Sequence, residues 1–91
     1  MLHSNREELH GITVVISGRS GRTYLGRFHE TTERGVVMRD VAIHDRATAL
    51  QDLATWMAGA RKYGIPASER LLVVPHDEVA ATERFDNCSV Q

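Results

Sequence analysis

Ninety-one residues with 42% hydrophobic side chains specify one globular domain and exclude a disordered polymer. A chain this short buries only about 60–70% of its unfolded surface, and with two Phe, two Tyr and one Trp its core must be filled by Ile, Val, Leu, Met and Ala. Eleven basic against twelve acidic residues give a formal charge of −1, which excludes the strong overall positive field of most nucleic-acid binders.

In chain order, Ser4 with Glu7 three residues on predicts a short capped N-terminal helical turn, ended by Gly11. Ile12 to Ser17 is β-branched and predicts a first strand. Gly18 to Arg22, "GRSGR", predicts a hairpin turn. Thr23 to Glu30 predicts a second strand, with Tyr24, Gly26 and Phe28 on one face. Thr31 to Gly35 forms its tip, and Val36 to Ile43 predicts a third strand. The apolar parity of that strand changes between Val36-Met38 and Val41-Ile43, the sign of a bulge or sharp bend near Asp40. Gly26 on the adjacent strand carries no side chain to pack, so it marks the matching place where the sheet curls.

The segment from Arg46 to Tyr63 predicts a helix with a wide apolar face, capped by Asp45 or by a Thr48–Gln51 capping box. Arg61 and Lys62 occupy its last turn, Gly64 ends it and Pro66 follows. Arg70 to Pro75 predicts a fourth strand, "HDEV" a tight turn capped by Asp77, and Val79 to Phe85 a fifth. Residues 1–86 therefore read as one domain and 87–91 as a disordered tail. The lone Cys88, the lack of a signal-like apolar run and the absence of any segment near the roughly 18 apolar residues of a membrane span together predict a cytoplasmic protein with no membrane partner.

The segments "YLGRF" (Tyr24, Gly26, Phe28), Val36-Met38-Asp40 and "LLVVPHDEV", after a short N-terminal helix, resemble the Sm-like family and its Src-homology-like relatives. The resemblance implies a strongly bent, five-stranded antiparallel small barrel, mainly β with α, in which the longer helix is inserted between strands three and four. It also implies a homo-oligomeric ring, in which the fourth strand of one subunit pairs with the fifth of the next, and loops that bind RNA. Family members that bind RNA carry an Asp-x-x-Met-Asn run and an Arg-Gly or Lys-His pair where this chain has "TTERG" and "PHDEV". The base-reading asparagine is absent and Asp77-Glu78 stands where phosphates would run, so the resemblance carries the fold and the ring but not the RNA pocket.

Between Ser17 and Arg39 five arginines face only Glu30 and Glu33, a local excess of three positive charges. From these, Arg19, Arg22, Arg27 and Arg34 are the candidates for contacting nucleic-acid phosphates or an acidic protein partner. Trp56 and Tyr63 at the margin of the helix's apolar face, with Leu71, Val73 and Val79 on the last two strands, are the candidate interface residues. His44-Asp45 and His76-Asp77 are the weak candidates for a metal site, reached only if the ends of strands three and four meet. No Ser, Thr or Cys stands beside a base in a pattern that points to nucleophilic catalysis, and no catalytic residue or cofactor is assigned. The expectation is a non-catalytic binding or scaffold module that self-associates and binds a protein partner. An RNA-binding ring is the alternative, and a metal-dependent enzyme the third reading.

Overall fold

A computed structural model describes residues 9–87. The strands are β1 (Thr13–Gly18), β2 (Arg22–Thr32), β3 (Gly35–Asp45), β4 (Glu69–Pro75) and β5 (Val79–Arg84), and a helix, α1 (Leu53–Tyr63), lies between β3 and β4. Short 3₁₀ turns at His76–Glu78 and Phe85–Asn87 follow β4 and β5. Most of the expected N-terminal turn, and the tail including Cys88, lie outside the described residues.

All five strands join one antiparallel sheet in the order β4-β3-β2-β1-β5. The expected closed barrel is corrected here: β4 and β5 are the two edges of an open sheet, each following its own partner, β3 or β1. The two edges are joined by the short His76–Glu78 turn. That connection forces a strong curl. Opposite edges of a flat five-stranded sheet would lie roughly 19 Å apart, at about 4.8 Å per strand. The four Cα steps from Pro75 to Val79 span at most about 15 Å, and a 3₁₀ turn spans less.

The curl shows in the sequence as Gly26 and in the structure as two bulges. Leu25 pairs with Ala42 and Arg27 with Arg39, so Gly26 alone opposes Asp40 and Val41. A Cβ on Gly26 would lie 2.9 Å from the Arg39 carbonyl oxygen and 3.0 Å from that of Asp40. Asp40 adopts φ +51°, a left-handed conformation that Asp tolerates better than most residues. Arg39 and Asp40 are consequently both exposed while Met38 and Val41 are both in the core, which is the parity change the sequence displays. The second bulge places His29 between the Phe28–Met38 and Glu30–Val37 pairs.

The inner face of the curl carries the main core: Val14, Ile16, Tyr24, Phe28, Val36, Met38, Val41 and Val74. A second cluster joins Val15 and Leu25, the alternate residues of β1 and β2, to Met57 and Ala60 of α1, with Leu53, Trp56, Ile65 and Phe85 against it. Strand β1 is thus buried on both faces, which its unbroken Val14-Val15-Ile16 run reflects.

The helix is shorter than the sequence predicts. It starts at Leu53, where the Asp52 carboxylate accepts the Thr55 N–H at 2.8 Å, not at Asp45 or Thr48. Asp45 instead accepts the Ala47 N–H at 3.0 Å and folds the chain as it leaves β3. His44 fixes the intervening loop: its buried ring donates from Nε2 to the Gln51 carbonyl at 2.8 Å and lies 5.3 Å from the Trp56 ring. At the other end Gly64, φ +100°, stops the helix after Arg61 and Lys62. Asp77 caps nothing in the His76–Glu78 turn; no side chain bonds its N-terminus.

Candidate functional site

The four candidate arginines do not share one surface. Arg19 sits in the β1–β2 turn, its N–H donating to the Glu78 carbonyl at 2.8 Å. Arg22 opens β2 and donates from Nε to the Asp45 carboxylate at 3.3 Å; that hydrogen bond raises its pKa. The Asp45 carboxyl is lowered in turn, first by the Ala47 N–H and then by Arg22. Arg27 lies mid-strand and pairs with Asp40, and Arg34 occupies the β2–β3 tip. At about 3.3 Å per residue these positions are distributed along the whole of β2.

The two candidate metal-ligating histidines, His44 and His76, are also apart. His44 stands opposite Thr23 near the β1–β2 turn, whereas His76 follows Pro75, which pairs with Gly35 at the β2–β3 end. The His76 Nε2 lies 2.7 Å from the Thr32 carbonyl, to which it donates. Antiparallel pairing sets the end of β3 beside the start of β4, so the two His-Asp dipeptides do not converge. No group of three or more metal-ligating side chains occurs among the described residues.

Glu78 has a clearer role. Its carboxylate accepts the Ser20 N–H at 3.1 Å, the Ser20 hydroxyl at 2.5 Å and the Tyr24 hydroxyl at 2.9 Å. It thereby clasps the connection between β4 and β5 to the β1–β2 hairpin. These bonds, the Ser20 hydroxyl first, hold the Glu78 carboxyl below its ordinary range. Burial, and then the bond to Glu78, pushes the Tyr24 phenol up.

Among the described residues, the surfaces open to a ligand or partner include three. The first is the edge of the sheet. On β4, Leu71 is 57% and Val73 41% exposed, and on β5 every residue after Val79 is exposed. Of the other interface candidates, Tyr63 is exposed beside Lys62, Trp56 is half-buried against the β1–β2 face, and Val79 is half-buried against the inner core. The second is a cavity of about 500 Å³ between the β1–β2 turn and the loop before α1, lined by Arg22, Thr23, His44, Arg46, Leu50 and Leu53. Leu50 stands fully exposed at its mouth.

The third surface is a cleft of about 470 Å³ lined by Arg27, Arg39, Asp40, Arg70 and Leu71. A smaller cleft of about 260 Å³ shares Arg27 and Arg39 and adds His10 and His29. The His10 and His29 rings lie 5.3 Å apart, and His10 Nδ1 is 2.6 Å from the His29 carbonyl. Arg39 and Arg70 are not among the sequence candidates. Their meeting depends on the register of three strands across a bulge, and spacing along the chain does not encode it.

No helix among the described residues is long and apolar enough to cross a membrane. No family model matches the chain, and no curated protein matches it significantly.

Proposed function

We propose that this protein is a non-catalytic binding module that self-associates by adding strands at its open edges, as the likeness to Sm-like subunits implies. One observation carries the reading: among the described residues β4 and β5 are the two edge strands of the sheet, and β4 presents Leu71 and Val73 to solvent. A row of free N–H and C=O groups beside exposed apolar side chains is a template for another strand. Pairing β4 of one copy with β5 of the next is heterologous, so it gives a ring if the rotation closes and a filament if it does not. The assembled module then offers its remaining surfaces to a protein partner.

The test is the mass in solution, by sedimentation or light scattering, of the wild type and of a Leu71→Lys, Val73→Lys double variant. Lysine on an edge strand blunts strand addition without disturbing a core that neither residue fills. The wild type should be oligomeric and the variant monomeric with an unchanged circular dichroism spectrum. A monomeric wild type at high concentration rejects the reading. The same samples, titrated with uridine- or adenine-rich oligonucleotides at two salt concentrations, separate an RNA-binding ring from a protein scaffold, since phosphate contacts weaken steeply with salt.

A further inference from the structure

We infer that the bulged centre of the outer sheet face is a binding site for a compact di- or polyphosphate group, with Arg27, Arg39 and Arg70 as its ligands. The inference stands on observations independent of the open edges. Arg27 and Arg39 are direct cross-strand partners, and Arg70 precedes Leu71, the partner of Arg39 on β4. Three adjacent strands therefore each deliver one guanidinium to a single cleft of about 470 Å³, a size suited to a small ligand.

Charge within the cleft does not balance. Among the described residues Asp40 is the only carboxylate lining it, and it is engaged by Arg27. Among the described residues Arg39 and Arg70 have no carboxylate within ion-pair distance. Like charges facing each other across a ladder destabilise a sheet, so the Arg27–Arg39 pair costs the fold something that an anion would return.

The backbone is shaped to produce this arrangement. Because Asp40 adopts φ +51° in the β3 bulge, Arg39 and Asp40 both reach the outer cleft instead of alternating across the sheet. Bulges re-aim side chains in this way beside binding sites, and left-handed non-glycine residues concentrate there. Guanidinium groups recognise phosphate by paired N–H donors. Two unneutralised guanidinium groups within one small cleft match a group that concentrates two or more negative charges. A phosphodiester strand carries one charge per nucleotide and spreads them. The adjoining cleft with His10 and His29 leaves room for whatever bears the phosphates.

Calorimetric titration of the whole protein with inorganic pyrophosphate, a nucleoside diphosphate, orthophosphate and a single-stranded oligonucleotide tests the inference. Pyrophosphate should bind saturably, one per chain, and more tightly than orthophosphate. Arg39→Gln and Arg70→Gln should each weaken it about 10-fold or more, the scale of a lost charge-assisted hydrogen bond. Asp40→Asn keeps a residue that tolerates the left-handed backbone while removing the competing carboxylate, so it should strengthen binding. Arg84→Gln, on β5 at the opposite edge of the sheet, should leave binding unchanged. Tighter binding of the nucleoside diphosphate than of pyrophosphate assigns a nucleotide as the source; equal or weaker binding assigns the inorganic ion. The inference is overturned if pyrophosphate does not bind at millimolar concentration, if either glutamine variant binds like wild type, or if the oligonucleotide binds where pyrophosphate does not.

Discussion

Gly26 is held so closely against the β3 backbone that even a methyl group there must displace main chain: the nearest atoms to its missing Cβ are the Arg39 and Asp40 carbonyl oxygens and the Val41 Cα. Gly26→Ala should therefore cost about 1–3 kcal/mol, as overpacking against rigid neighbours does, measured as the change in urea midpoint. An unchanged midpoint would mean that the bend does not need the close approach. Glu78 sets a second residue-scale expectation. Its pKa is lowered in the folded state, so its contribution is present above the ordinary value of 4.5 and disappears as pH falls through the lower folded value. Thermal midpoints should thus decline on the acid side, and Glu78→Gln should flatten that decline. Tyr24 runs the other way: its raised pKa makes its contribution complete below the ordinary value of 10.0 and lost as pH rises through the folded value. The role of Gly26 was legible because a glycine and a parity change fall on neighbouring strands. The Arg27-Arg39-Arg70 cleft was not, because Arg70 lies far along the chain and arrives only through β3–β4 register.

At the scale of elements, the strands were readable from β-branched runs bounded by glycine, while the helix start was misplaced. Thr48–Gln51 has the form of a capping box, but the segment is claimed by tertiary contacts. The Asp45 carboxylate binds the Ala47 N–H, and the His44 ring ties the Gln51 carbonyl beside Trp56. Helix propensity yields to these bonds, and Asp52 becomes the cap. Asp52→Ala should cost about 1 kcal/mol, whereas Thr48→Ala, on an exposed side chain, should stay within about 0.5 kcal/mol. Denaturant unfolding of the two variants reads this difference. Equal effects would return the start of the helix to the residues the sequence suggests.

For the whole molecule, strand number, antiparallel pairing and a helix between β3 and β4 were all legible, and closure was not. Whether two edge strands meet is decided by accumulated twist over five strands, a quantity that no local pattern of residues records. The open edges make association the central expectation. If copies join through β4, apparent stability must rise with protein concentration, because association stabilises only the folded form. A thermal midpoint independent of concentration, together with a monomeric mass, would contradict it.

The three-residue link at His76–Glu78 also constrains the order in which the protein can acquire its shape. β5 docks on β1, the strand most distant from it in the chain, and it cannot do so until the intervening meander has curved enough for that link to reach. During synthesis on the ribosome the flank of β1 that will receive β5 stays bare until β5 emerges, with Val14, Val15 and Ile16 already out. The nascent chain is therefore most vulnerable to premature aggregation at its first strand, and the last strand relieves that risk.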